Sequence, residues 1–417
     1  MRRRNRINQL PDKILHRILS FLTTKEAVTT SILSKRWIHL WISVPNLNFT
    51  NITIDSIKSN NKFNESVYSV LASRDGAGYD LDGFHLDIQY VNHHFAYRRS
   101  FPHVVKWINI VVRRNLKHLN LNHDIDEPDT YDPERDAYLP QLPKSILTCR
   151  TLVSLKLSRF SVEGLLYVSK VEFGFPCLKT LYFDTIYFGC GRNFVLLLCG
   201  CPVLEDLQLL NSCQTLSSRQ DSEAIQMFQS LTLPNLTRAE IMETLWSHFP
   251  LKALSTVKSL SLDTLKLNTH DQTDDEDDDE ENPRQRTYID IPIFHNLTHL
   301  KFKNSWGLVV QMLHHCPKLQ SLELSKGSRH VREDELGNSA EEPELVPECV
   351  SSCLKTCTIR DIGGLQSELI LPTFILKNAR ILQTMKVWSG WMQKKSEIEE
   401  KLSPCPKASA TCQLFVY

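Results

Sequence analysis

Apolar residues near the start of the chain recur with the period of an amphipathic helix. From Ile14 onwards they return every three or four positions, and Pro11 suits the first position of a helix, where the missing N–H would have no partner. A second helix is predicted to begin at Thr24, whose hydroxyl can accept a backbone N–H, and a third at Ser34. The pattern therefore predicts three short helices within residues 6–45.

These three helices carry more large apolar side chains than so small a core can bury. The surplus includes Trp37 and Trp41 together with Leu10, Ile18 and Leu19. We expect part of this set to remain on the surface, where an exposed apolar patch usually marks a partner-binding site. Spacing alone leaves open the alternative that both tryptophans fill the core.

From residue 116 onwards the spacing changes to the form Leu-x-x-Leu-x-Leu. The last two apolar positions of each copy share one face of a short strand, and the residue between them lies on the other face. The copies at 152, 178 and 204 are 26 residues apart (178 − 152 = 204 − 178), within the range of leucine-rich repeats. Copies begin at Leu116, Leu152, Leu178, Leu204, Leu236, Val257, Leu297 and Leu319, and the copy at 236 is degenerate.

Two copies also match in the residues that precede the strand. Leu198, Cys201 and Pro202 recur 115 positions later as Leu313, Cys316 and Pro317 (313 − 198), so that each strand follows an apolar helix and a Cys-Pro stop. One such unit cannot cover its own apolar side, whereas stacked units share a core. We therefore predict an α/β fold in which three N-terminal helices precede an irregular leucine-rich-repeat solenoid, a curved parallel sheet with helices on the outside.

The repeats are interrupted by a strongly acidic insertion. Residues 274–281 are eight consecutive Asp or Glu residues, and such a run repels itself, so we expect a disordered loop over residues 271–286. A calcium site is the alternative, but the run lacks the glycine turn and the spaced ligands of a calcium loop.

Composition limits the classes of partner and the compartment. Lys plus Arg and Asp plus Glu both number 48, so the formal charge is zero and nothing favours bulk nucleic-acid binding. The basic residues 2–6 fit either a nuclear signal or a solvated end. No apolar run fits a secretory signal or a membrane span, so we expect a nuclear or cytoplasmic protein whose 12 cysteines are reduced.

No sequence motif indicates catalysis, a cofactor or a metal. The nucleophile-elbow, phosphate-loop, zinc-protease and dinucleotide-binding motifs are all absent from the sequence. Cys349, Cys353 and Cys357 are spaced by four residues, but no nearby ligand completes a tetrahedral zinc site. Buried thiols are the better interpretation of these three residues.

The N-terminal pattern resembles the F-box of plant F-box proteins that carry leucine-rich repeats and a C-terminal FBD region. The resemblance rests on Leu10-Pro11-Asp12, Ile18 to Leu22, Thr24 to Val28, and Leu33 to Trp37 with Trp41. It implies docking to a Skp-type adaptor, which links such proteins to a cullin–RING ubiquitin ligase. By resemblance, the adaptor-facing residues are Leu10, Pro11, Ile18, Leu19, Leu33, Ser34, Trp37 and Trp41.

The C-terminal segment resembles the FBD region of the same family. The match rests on Leu354 to Thr356, Ile375 to Ala379 and Cys405 to Leu414, and it departs from the family pattern at residues 361–364. The resulting domain prediction is F-box over 1–50, linker and N-terminal repeat region over 51–115, leucine-rich repeats over 116–330, and FBD region over 346–417. We expect the FBD region to cap the open end of the repeats.

Repeat geometry also locates a candidate target-binding surface. The residue between the two buried positions of each strand should line the concave face of the sheet, along which solenoids bind partners. A solvated polar face is the alternative for any single residue. The predicted target-binding residues are Lys156, Tyr182, Gln208, Glu240, Ser261, Lys301 and Glu323.

These observations lead to one function and two alternatives. The leading hypothesis is a non-catalytic substrate receptor of a ubiquitin ligase built from a Skp-type adaptor, a cullin, a RING protein and the F-box chain. The first alternative is a leucine-rich-repeat scaffold that binds a partner without ubiquitination. An enzyme is the last alternative, and it would require a pocket with strongly perturbed acid or base groups.

Overall fold

A computed structural model describes residues 6–75, 78–91, 96–125, 139–162, 174–188, 191–211, 213–214, 230–242, 250–263, 291–303, 306–325, 344–390 and 395–417. The chain divides into two compact units, Met1–Leu204 with Asn211–Ala224 (unit 1) and Glu205–Leu210 with Ile225–Tyr417 (unit 2). The acidic residues 274–281, and with them the expected disordered loop, lie outside the described residues.

Unit 1 begins with three short helices. They are α1 (Asp12–Leu19), α2 (Thr24–Thr29) and α3 (Trp37–Leu40), and a 3₁₀ turn, Trp41–Ser43, extends the last one. The cap of α2 is Thr23 rather than Thr24, because Thr23 Oγ1 accepts the Glu26 N–H at 3.3 Å while the Glu26 carboxylate accepts the Thr23 N–H at 2.8 Å. Ser34 contributes its backbone carbonyl to α3, at 2.9 Å from the Trp37 nitrogen, instead of the predicted hydroxyl cap.

The rest of unit 1 is a parallel sheet with helical connections. Its first five strands pair in chain order, so each new strand lies beside the one before it and extends the sheet in one direction. The remaining elements are β1 (Asn46–Ile54), α4 (Ile57–Asp75), β2 (Gly83–Tyr90), α5 (Phe101–Val111), β3 (His118–Ile125), β4 (Ser154–Ser161), β5 (Thr180–Phe188), α6 (Gly191–Cys199) and β7 (Cys213–Gln214), which pairs with β5.

The Asn, Ser and Lys residues of the segment 50–64 predict a loop, and residues 65–71 a short helix, but this prediction is wrong. The 19-residue helix α4 occupies residues 57–75. Asn60 and Asn64 of α4 are both buried. Asn60 Oδ1 accepts a hydrogen bond from the hydroxyl of buried Ser100, whereas Asn64 Oδ1 has no partner among the described residues.

Unit 2 continues the same strand pattern with eight parallel strands. Equivalent register positions on neighbouring strands are occupied by Leu207, Ala239, Leu260, Leu300 and Leu322. Because Ala239 belongs to the degenerate copy that begins at Leu236, that copy is a genuine repeat. The elements are β6 (Asp206–Leu210), β8 (Arg238–Met242), β9 (Ser259–Asp263), β10 (His299–Lys303), α7 (Trp306–His314), β11 (Ser321–Ser325), α8 (Glu348–Ser352), β12 (Thr356–Ile362), α9 (Gln366–Asn378), β13 (Thr384–Ser389), α10 (Lys395–Leu402) and β14 (Gln413–Val416).

The C-terminal segment extends this sheet rather than forming a separate layer. Cys357 stands opposite Leu322 and Met385 opposite Cys357, so the row of buried side chains passes into β12 and β13. The departure from the family pattern coincides with a bulge: Asp361 has φ +61° and the register shifts between Ile359 and Ile362. The predicted α/β architecture of N-terminal helices followed by parallel repeat strands is thus confirmed.

The core of unit 1 contains a histidine with an unusual environment. His123 is 1% exposed, and its ring lies between those of Phe101 and Phe160, with centroid distances of 4.9 and 5.6 Å. Neither ring nitrogen has a hydrogen-bond partner among the described residues. Burial, assisted by the charge of Arg159, lowers the pKa of His123 to about 3, so the ring is neutral in the folded chain.

Unit 1 should therefore lose stability in mild acid. The unfolded chain protonates His123 near its ordinary pKa of 6.5, whereas the folded chain does not until about pH 3, so stability falls as the pH drops below 6.5. The loss should reach about 2 kcal/mol between neutral pH and pH ~5, at ~1.4 kcal/mol per pH unit. Denaturant unfolding across this range checks it, with His123→Phe as the comparison. An unchanged pH dependence in that variant would contradict the assignment.

Candidate functional site

The three N-terminal helices enclose a small core of their own. Leu15, Leu19, Ala27, Trp37 and Leu40 are buried there with Val44, and the indole nitrogen of Trp37 donates to Asn8 Oδ1 at 2.6 Å. Leu10, Ile18, Leu22 and Trp41 pack against this core and are partly buried. Trp37 is therefore a core residue of this segment.

A second set of apolar side chains, on these helices and on the connections between them, faces solvent. Ile32 is 88% exposed, Phe21 77% and Leu33 50%, and Ile14 and Ile38 are also exposed. Isolated exposed apolar residues are ordinary, but these five, with Ile7 as a sixth, are more than a self-contained helical segment of about forty residues needs. We call Ile14, Phe21, Ile32, Leu33 and Ile38 the exposed apolar set.

Arg36 anchors the segment between α2 and α3, which contains Ile32 and Leu33. Its guanidinium donates to the backbone oxygens of Asn8 at 2.6 Å and Leu10 at 2.7 Å, and it pairs with the Asp12 carboxylate. The start of α3 is therefore tied to the chain that precedes α1. This positioning role was not predicted from the sequence, although the cationic residue directly before Trp37 could have indicated it.

The structure separates the eight predicted adaptor-facing residues into three groups. Pro11 and Leu33 are exposed, whereas Leu10, Ile18, Ser34 and Trp41 are partly buried. Leu19 and Trp37 are each 1% exposed, which corrects the expectation that these two side chains face a partner. Contact of the other six residues with an adaptor stays a prediction. The sequence pattern did not predict the exposure of four further residues, because the period of a short helix does not say which side faces its neighbours. These residues are Ile14, Phe21, Ile32 and Ile38.

The predicted target-binding residues of unit 1 are neighbours on the polar face of the sheet. Lys156 of β4 stands opposite Tyr182 of β5, and its ammonium lies 6.0 Å from the centroid of the tyrosine ring. Asn120 of β3 and His85 of β2 continue this row. Burial lowers the pKa of His85, with His118 and Lys156 adding positive charge.

The remaining five target-binding residues form one row in unit 2. Gln208, Glu240, Ser261, Lys301 and Glu323 occupy successive register positions from β6 to β11. The row continues through Thr358, Lys386 and Phe415, which the sequence analysis did not include. Target binding by either row stays a prediction.

Aromatic residues lie beside the end of this second row. The rings of Trp388 and Tyr417 are stacked with centroids 4.4 Å apart, and the guanidinium of Arg360 lies 5.3 Å from the Trp388 centroid. Arg360 Nε also donates to Glu323 Oε1 at 2.8 Å. The polar face of unit 2 therefore presents exposed aromatic rings beside an arginine, two residue types that are enriched at protein interfaces.

Of the three cysteines spaced by four residues, Cys349 and Cys357 are buried as expected, whereas Cys353 is only partly buried. Burial raises the pKa of the Cys349 and Cys357 thiols to about 12, so both are protonated at neutral pH. Across the described ranges, no three His, Cys, Asp or Glu side chains gather as a metal site would require. Within the part of the chain that the structure covers, no helix has the length and apolar character needed to cross a bilayer.

Comparison with known proteins matches each part of the chain. The profile of the F-box domain matches residues 7–49, that of the leucine-rich repeats of FBD-associated F-box protein At5g56370 matches residues 104–243, and the FBD profile matches residues 341–387. These matches fall on the helical segment, on repeat strands of both units, and on the strands and helices that follow the last repeat.

Whole-chain relatives agree with these matches. FBD-associated F-box protein At5g56370 of Arabidopsis thaliana is 30% identical, covering 98% of this chain and 99% of the relative. F-box/FBD/LRR-repeat protein At4g00160 from the same plant is 29% identical, covering 99% of this chain and 94% of the relative. The chain therefore belongs to the family of plant F-box proteins that combine an F-box, leucine-rich repeats and an FBD region.

Proposed function

We propose that this chain is the substrate-recognition subunit of a ubiquitin ligase of the type formed by a Skp-type adaptor, a cullin, a RING protein and an F-box protein. In this proposal the F-box binds the adaptor, and the repeats bind a protein that is to be ubiquitinated. The observation that carries it is the exposure of Ile32 and Leu33 on a helical segment that already has a complete core.

The physical reason is the cost of leaving these side chains in water. Each large aliphatic side chain that a partner covers contributes about 1.5–3 kcal/mol if it becomes fully buried. Arg36 holds the preceding chain against α3, so less ordering is required when a partner binds. An adaptor with a complementary apolar groove would therefore gain affinity from Ile32 and Leu33.

The receptor itself performs no covalent chemistry in this proposal. It raises the concentration of the target near the enzyme that carries ubiquitin, which is a proximity effect. The polar rows would bind the target, and residues of both signs, such as Lys301 and Glu323, favour a protein surface over a nucleic acid. Such a role requires neither cofactor nor metal and places the chain in the nucleus, the cytoplasm or both.

Co-expression with a Skp-type adaptor tests the proposal. The full chain should co-elute with the adaptor in size-exclusion chromatography, and the complex should join a cullin–RING pair. A partner captured by the full chain should then fall in abundance in a manner that requires the proteasome. Failure to bind any Skp-type adaptor would contradict the ligase role, and a bound partner of unchanged abundance would instead support a non-degradative scaffold.

A further inference from the structure

A cavity in unit 1 lies where the helices α4 and α5 end. It measures about 670 Å³. Its wall combines basic, aromatic and aliphatic groups, and it lies apart from both the exposed apolar set and the polar rows. The basic residues are Arg74, Arg113 and Arg114, and the ring and aliphatic groups belong to Tyr68, Tyr79 and Ile110.

Arg74, in the last turn of α4, is nearly sealed from solvent. It is 1% exposed, and its Nη1 donates to the backbone oxygen of Val44 at 2.7 Å. Its Nε and Nη2 are buried and have no hydrogen-bond partner among the described residues. A guanidinium has five N–H donors, so one carbonyl leaves most of its capacity unused.

Arg114, just after α5, lies in the same wall and is only partly compensated. Its Nη2 pairs with the Asp75 carboxylate at 2.7 Å, while its Nη1 is buried without a partner in the described structure. The Asp75 side chain is itself largely exposed, which weakens this ion pair. Asp80, the other carboxylate of the wall, accepts the Asn115 side-chain N–H at 3.2 Å.

The wall therefore carries uncompensated positive charge. Burial and the neighbouring charge of Arg114 lower the pKa of Arg74 to about 10, so it remains a cation at neutral pH. Arg74 and Arg113 form no ion pair with any described carboxylate. A buried cation without a counter-ion is costly, and an anion in the cavity would reduce that cost.

We propose that this cavity binds a small phosphate ester. Arginine side chains are suited to an oxyanion with several acceptor oxygens, and Arg113 and Asn115 at the exposed part of the wall can donate to it. The volume exceeds what a bare phosphate needs, and Tyr79, Tyr68 and Ile110 offer ring and aliphatic surface to the organic part.

The position of Arg74 gives such binding a structural consequence. Through the Val44 carbonyl, Arg74 joins the end of the F-box to the helix that follows the first repeat strand. A bound anion would offset the cost of burying the charged guanidinium of Arg74 and would therefore strengthen this junction. A ligand that binds only the folded chain also raises its unfolding temperature, because it stabilises that state by RT ln(1 + [L]/Kd), which increases with ligand concentration.

Calorimetry on the full chain tests the proposal with two probes, inorganic phosphate and phenyl phosphate. Both should bind, and phenyl phosphate should bind at least about threefold more tightly because its ring contacts the apolar wall. Arg113→Gln, an exposed site, should weaken both by at least about fivefold. The matched control is Arg99→Gln, the same charge change at an exposed residue outside the cavity, which should alter affinity less than twofold.

Each outcome decides one part of the proposal. No binding of either probe at about 10 mM would overturn the site. If Arg113→Gln and Arg99→Gln weakened binding equally, the effect would come from the overall surface charge, and the site would be overturned. If phenyl phosphate bound no more tightly than inorganic phosphate, the assignment of an ester as the ligand would be overturned. Arg74→Lys is an independent test, because it keeps the positive charge but removes the planar set of guanidinium N–H donors. We expect this variant to show a smaller rise in unfolding temperature when phenyl phosphate is added.

Discussion

We expect the double substitution Ile32→Asp with Leu33→Asp to abolish the proposed binding of the F-box to a Skp-type adaptor and to leave the fold intact. Both side chains are exposed, so replacing them removes little from the F-box core. A partner groove that accepts two aliphatic groups would instead have to desolvate two carboxylates, which is strongly unfavourable. We expect affinity to fall by about 100-fold or more, measured by calorimetry or a surface-binding assay.

Two matched variants separate an interface effect from a general effect of added charge. Ile57→Asp and Ile293→Asp make the same exchange at exposed isoleucines in unit 1 and unit 2, away from the helical segment. Both should bind the adaptor as the unsubstituted chain does. Undiminished binding by the Ile32 and Leu33 variant, with circular dichroism unchanged, would place the adaptor surface elsewhere on the chain.

Trp37→Ala should unfold the F-box segment, and it should lose adaptor binding only as a consequence. Trp37 is among the largest fully buried side chains of the chain, and its indole N–H is bonded to Asn8. Removing such a side chain costs about 3–5 kcal/mol, which a core of six buried residues cannot absorb. Hydrogen exchange over residues 6–45 should show protection lost there and retained in the repeats.

The comparison variant is Phe21→Ala, which removes another aromatic ring from the same segment. Phe21 is mostly exposed, so its loss should change stability by less than about 0.5 kcal/mol. If Trp37→Ala kept native hydrogen-exchange protection yet no longer bound the adaptor, Trp37 would be a contact residue after all. The original assignment of Trp37 to the interface would then be restored.

Short-range spacing was sufficient to predict the repeat architecture. In a Leu-x-x-Leu-x-Leu unit the strand period of two decides which side chains share a face, and this does not depend on distant contacts. Leu260, Leu300 and Leu322 were therefore assigned to the buried row correctly, and Ser261 and Lys301 to the opposite face. Cys357, in the C-terminal segment, is buried opposite Leu322, in agreement with its interpretation as a buried thiol.

The same reasoning failed where a side chain's environment comes from another element. Trp37 and Ile32 look equivalent in a helical pattern, but only packing among α1, α2 and α3 buries the first and exposes the second. The polar stretch before Glu65 was predicted as a loop, although Asn60 finds its partner in Ser100, forty residues later. Local propensity carries no information about such a partner.

The sequence by itself determined the order of helices and repeat strands, the buried row of the sheet and the membership of the family. Only the tertiary structure decided which apolar residues of the F-box face water, and that Arg74 of α4 shares one cavity wall with Arg113 and Arg114, which follow α5. The physical reason is that periodicity is a property of one element, whereas burial and charge compensation depend on which elements meet in space.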